Sequence, residues 1–106
     1  MSIYSCYEDI GRYNALKASL GNVMSTLNNA SSKLSPVSQS IYTAYSVDEN
    51  PTPIVGRLDG LTNDIASTAS YISRVIIPAI DHAISNKRRE IFRLEQEKAK
   101  EASSGH

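Results

Sequence analysis

From Tyr13 onward, apolar side chains fall at Tyr13, Leu16, Leu20, Val23, Leu27, Ala30, Leu34, Val37 and Ile41, alternating steps of three and four residues. That spacing is a heptad, which keeps one helical face against a neighbour through a gentle left-handed supercoil. A second run, Ile54, Leu58, Leu61, Ile65, Ile72, Ile76, Ile80, Ala83, Ile91 and Leu94, follows steps of three and four or their sums. It also predicts a long helix with an apolar face. Between the two lies Ser-Val-Asp-Glu-Asn-Pro-Thr-Pro, residues 46–53. Its prolines and its Asp/Asn cluster disfavour helix and offer local caps. The pattern therefore predicts an all-α chain in which two helices fold back on each other as a long antiparallel hairpin of coiled-coil type.

Helix one is expected over residues 4–47, the turn over 48–53 and helix two over 54–101, all within one domain spanning 1–102. With Asn50 at the tip, positions whose numbers sum to about 100 face each other, Leu20 meeting Ile80 and Leu27 meeting Ile72. Pro36 allows either a new helix capped by Ser35 or a continuous helix with a kink. The unbroken heptad across it favours near-collinear continuation. Pro78 sits where the apolar spacing of helix two slips by one position, and a kink is expected there. Gly56 and Gly60 weaken the start of helix two by about 1 kcal/mol each relative to alanine.

The core of the hairpin is expected from Leu16, Leu20, Val23, Leu27, Leu34, Ile41, Leu58, Leu61, Ile65, Ile72, Ile76 and Ile80. The apolar arc is wider than one partner helix covers. On helix two Val55, Ile77, Ile84 and Ile91 gather on one flank of the main stripe and Val75 on the other. Helix one adds Met24 and Tyr42, while Tyr4, Tyr7 and Phe92 collect near the open end. This surplus predicts a helix-to-helix partner surface, filled by another helical protein or by the chain itself.

Composition narrows the alternatives. Eleven basic and eleven acidic residues cancel, so no global field draws in nucleic acid or an anionic membrane. Lys87-Arg88-Arg89 is diluted by nearby acids and reads as a solvated face. A single cysteine, Cys6, leaves no intramolecular disulfide or multi-cysteine metal site. His82 and Asp81 are adjacent and point apart on a helix, so they make no metal pair. The sequence contains no nucleophile motif, phosphate loop or paired cysteines. The expectation is a non-enzymatic protein without cofactor, small-molecule substrate or stable membrane insertion. No signal sequence or apolar run of membrane-spanning length is apparent. The chain is expected to be made in the cytoplasm, and any export would use a route without a cleaved signal. Ser103-Ser104-Gly105-His106 reads as a tag remnant.

The heptad from Leu16 to Ile41, the corner Asp48-Glu49-Asn50-Pro51 and the apolar-then-charged run from Ile72 to Lys100 together resemble the WXG100-like small proteins of bacterial type VII secretion. More closely, the chain resembles the helical proteins that accompany LXG-domain toxins. It has no tryptophan, so the Trp-x-Gly turn is missing. Tyr4 and Glu8 have the spacing of the Tyr-x-x-x-Asp/Glu export motif, but at the opposite end of the chain. The resemblance implies a non-enzymatic partner that pairs side by side with the helical N-terminal region of a toxin and supports its export. A self-assembling four-helix-bundle adaptor or structural protein and a chaperone or antidote masking a partner helix are the alternatives.

Overall fold

The computed structural model describes residues 2–45 and 50–104. Among these the chain is helical and contains no strand: α1 runs Ile3–Ala44, α2 Thr52–Tyr71, a π-helical turn Ile72–Ile76, and α3 Ile77–Ser104. Residues 46 and 47 of the expected first helix and 48 and 49 of the expected turn lie outside the described residues. The chain divides into two compact units, one formed by residues 1–20 with 75–106 and the other by residues 21–74.

Local chemistry explains the helix boundaries. Ser2 and Ser5 cap α1 reciprocally: the Ser5 amide donates to Ser2 Oγ at 3.1 Å and the Ser2 amide to Ser5 Oγ at 3.2 Å. Two of the donors that a helix start leaves unsatisfied are met in this way. Pro36 lies inside α1 without ending it, as the heptad predicts. At the start of α2, Asn50 Oδ1 accepts from the Thr52 amide at 3.2 Å, and the Pro51 carbonyl accepts from both Ile54 and Val55 amides at 3.0 Å. Proline at this first turn gives up only an amide that would have had no helical partner. The second helix therefore begins two residues earlier than the pattern suggested. At the other end helix continues through Ser103 and Ser104, so these two residues extend α3.

The slip in apolar spacing before Pro78 becomes the π turn. A π turn accommodates one extra residue, which lets a helix carry a break in its buried row without ending. Along α2 the covered row runs through Val55, Leu58, Thr62, Ile65 and Ala69; after the turn it runs through Ile80, Ile84, Lys87, Ile91 and Leu94.

Each unit is an antiparallel pair. In the first, Cys6, Ile10, Ile80, Ile84 and Ile91 form the buried cluster, with Ile3, Tyr13, Leu20, Ile76 and Leu94 packed around it. Lys17 meets Asp81, and Lys87 Nζ lies 3.0 Å from Asp9 Oδ2. In the second, Val55, Ala69 and Ile72 are the buried apolar side chains, and Ser38 Oγ donates to Asp59 Oδ1 at 2.6 Å. These pairs fall within a turn of the register expected from a tip at Asn50.

The buried row of α1 differs from the expected one. Tyr13, Leu20, Leu27, Leu34 and Ile41 form one half of the seam as predicted, but the other half is Ile10, Lys17, Met24, Ser31 and Ser38. Leu16 and Val23, expected in the core, are exposed on the far flank. Both rows follow the same heptad, so periodicity alone does not choose between them. Continued toward the N-terminus, the row through Leu16 and Val23 reaches Asp9 and Ser2, whereas the corresponding row of the observed seam reaches Ile10 and Ile3. At the start of the helix the observed row buries Ile3 and Ile10 where the other would bury Ser2 and Asp9, which spares a carboxylate desolvation.

Candidate interaction surfaces

The same one-position shift redistributes the residues expected to bind a partner. Val55, Ile84 and Ile91 are buried inside their own units, and Met24 is half-buried in the seam. They belong to the hairpin interior, because α2 packs through the row one residue on from Ile54 and Leu61, and the π turn carries the buried row of α3 to Ile84 and Ile91. Leu61, expected in the core, is exposed for the same reason. Ile77 is half-buried; Val75, Tyr42, Tyr7 and Phe92 are exposed. Of the other predicted core residues, Ile72 and Ile80 are buried, and Leu20, Leu27, Leu34, Ile41, Leu58, Ile65 and Ile76 are half-buried.

In the first unit an open notch of about 400 Å³ is lined by Tyr7, Ile10, Arg88, Ile91, Phe92 and Glu95. Its walls are aromatic: Phe92 is 63% exposed and Tyr7 56%, with Tyr4 one turn before Tyr7 on the same helix. A charge of each sign, Arg88 and Glu95, stands at the rim. Such a notch suits an apolar side chain delivered by another helix, with the rim charges left to orient polar groups.

The basic run beside it is not a free cationic stripe. Lys87 is engaged by Asp9, and the hydrogen bond to that carboxylate raises the lysine pKa above its ordinary value. Arg93 is held by Glu90 and Glu97, and the Arg93 guanidinium in turn lowers the Glu90 pKa.

The second unit has two unlike faces. In an antiparallel pair of right-handed helices, flanks that precede the seam in residue order lie on the same side. That side carries Val23, Ala30 and Val37 from α1 with Ile54, Leu61 and Thr68 from α2, at seven-residue intervals on each helix. Val23, Val37, Ile54 and Leu61 are all exposed, at 37% to 51%. The opposite side carries small and polar groups, including Asn28, Ala66, Ser70 and Ser73 around a shallow depression and the Ser38 to Asp59 hydrogen bond, together with the exposed Tyr42. Sequence reasoning placed Val23 and Leu61 in the core and so did not find the apolar face. Its signal was present in the second heptad row flanking Leu27 and Leu34.

No family model, curated protein or solved structure matches the chain. Among the described residues no three His, Cys, Asp or Glu side chains gather as a metal set would, and no helix is long and apolar enough to cross a membrane.

Proposed function

We propose that this chain is a non-enzymatic helical partner protein, which binds the helical N-terminal region of an LXG-type toxin and supports its type VII export. The observation that carries the pairing part is the exposed aromatic wall of the first unit. Tyr4, Tyr7 and Phe92 stay in water although the cluster beneath them is packed. Large aromatic side chains beside an apolar notch are the usual anchors of helix-to-helix recognition. The choice of a toxin as the partner rests on the resemblance in sequence pattern.

The test is co-expression with the isolated N-terminal helical region of an LXG-type toxin encoded beside this chain, followed by size-exclusion chromatography with light scattering. A stoichiometric complex that is lost on changing Tyr7 and Phe92 together to alanine supports the reading. Separate elution of the two chains, or a complex indifferent to both changes, overturns it.

A further inference from the structure

We infer that the depression on the polar side of the second unit is a carboxylate site, with the Arg74 guanidinium as its charge and Asn28 and Ser70 as its neutral donors. This goes beyond the toxin reading, since it lies in the other unit and concerns a different chemistry.

The depression has a volume of about 240 Å³ and is walled from two sides, by Met24 and Asn28 of α1 and by residues of α2 and the π turn that follows it. The π turn carries the charge. Helical side chains lean toward the N-terminus of their helix, so Arg74 reaches back over the turn that holds Ser70. Asn28 lines the hollow from α1. The Ser73 hydroxyl is already engaged, donating to the Ser70 carbonyl at 3.1 Å. The side chains of Arg74, Asn28 and Ser70 have no hydrogen-bond or ion-pair partner among the described residues. Their N–H and O–H groups thus border one hollow, and no acidic side chain lines it.

Charge and shape select the ligand. On α1 no acid follows Asp9, and on α2 the acid nearest to Arg74 is Asp64, ten residues back. That is about 15 Å along a helix, beyond the distance over which exposed charges act strongly at physiological salt. One uncompensated cation among neutral donors matches a monoanion. A guanidinium presents paired N–H groups in the planar geometry of a carboxylate. A phosphate monoester, with about −1.5 to −2 charges at pH 7, exceeds the single cation present. The inner wall is apolar, formed by half-buried Met24 and buried Ala69. It takes the aliphatic stem that carries the carboxylate. The ligand is therefore a carboxylate on a short alkyl chain, whose two sources are a free short-chain acid and a glutamate side chain of another protein.

NMR of the labelled full chain tests this, following the Asn28 side-chain amide and the Ser70 backbone amide as sodium propionate is added, with sodium chloride as the matched control. Saturable shifts of both groups are expected, half complete at about 10 mM, weaker than a millimolar complex because the site is open. Arg74→Gln should abolish the response. Arg74→Lys keeps the charge without the planar fork and should weaken binding about fivefold. Arg74 is exposed, so helical circular dichroism should be unchanged in both variants. Titration with N-acetyl-glutamic acid α-amide separates the sources: saturation at an equal or lower concentration than propionate assigns the site to a protein side chain, and weaker binding assigns it to a free acid. Shifts that stay linear to about 100 mM of either probe, that sodium chloride reproduces, or that survive Arg74→Gln overturn the inference. So does a lysine that serves as well as the arginine.

Discussion

Replacing Ile84 by alanine tests the packing of the first unit against the periodicity of the sequence. Ile84 is 5% exposed and belongs to the cluster with Cys6, Ile10, Ile80 and Ile91. The substitution removes three carbons, worth roughly 2.4 kcal/mol in transfer free energy at about 0.8 kcal/mol per buried methylene. A cavity term adds to this, reduced where two helices can close over the gap, so the expected loss is about 2.5–3.5 kcal/mol. The matched control is Leu16→Ala in the same unit. Leu16 is 47% exposed; alanine there forfeits about 1 kcal/mol or less, partly offset by alanine's better helix propensity. The assay is urea unfolding followed by circular dichroism at 222 nm, at low micromolar protein so that self-association contributes little. With equal m values, the two midpoints convert directly into the stability difference. Equal losses from the two substitutions, or a larger loss from Leu16→Ala, would refute the assigned seam and restore the one centred on Leu16 and Val23.

Two further outcomes follow from local features. Deleting Ser73 from the π turn, with Pro78→Ala to relieve the proline, should convert Ile72–Ile76 to ordinary α-helix while keeping Ile80 and Ile84 buried, and leave the melting temperature nearly unchanged. Deleting Asn63 from the middle of α2 should instead rotate the following side chains by about 100° and cost several degrees; equal losses from the two deletions would sink the explanation of the turn. The Glu90 carboxyl, hydrogen-bonded by Arg93, should titrate below its ordinary value of 4.5 when followed by carbon NMR. Since its folded pKa is lowered, its contribution to stability is present above the unfolded value and lost as pH falls through the folded one. Arg93→Ala should return the midpoint upward, and a midpoint unaffected by that change would show that the guanidinium is not the cause.

The sequence by itself determined the helices and their ends to within a few residues. Steps of three and four specify helix wherever they persist, and Asn50-Pro51-Thr52-Pro53 satisfies the start of α2 through its own side chain and carbonyl groups. Pro36 is passed without a break because the apolar row continues on both sides of it. The irregularity before Pro78 was visible as a slip in spacing, although its form as a π turn was not, since a kink would absorb the same slip.

Only the tertiary structure decided which row is buried. Along α1 the ridge Tyr13, Leu20, Leu27, Leu34 and Ile41 is flanked by Leu16, Val23 and Val37 on one side and by Ile10, Lys17, Met24 and Ser38 on the other, and each flank completes a heptad. Counting apolar residues favours the first, and that is where periodicity leads. The fold buries the second, because Ile10 and Ile3 extend that row to the helix start while the first runs into Asp9 and Ser2. Two polar members of the seam meet long-range partners, Lys17 with Asp81 and Ser38 with Asp59. Such pairings join residues far apart in the chain, and no local pattern specifies them. The choice leaves Val23, Val37, Ile54 and Leu61 on one outer face, where they are available to another chain.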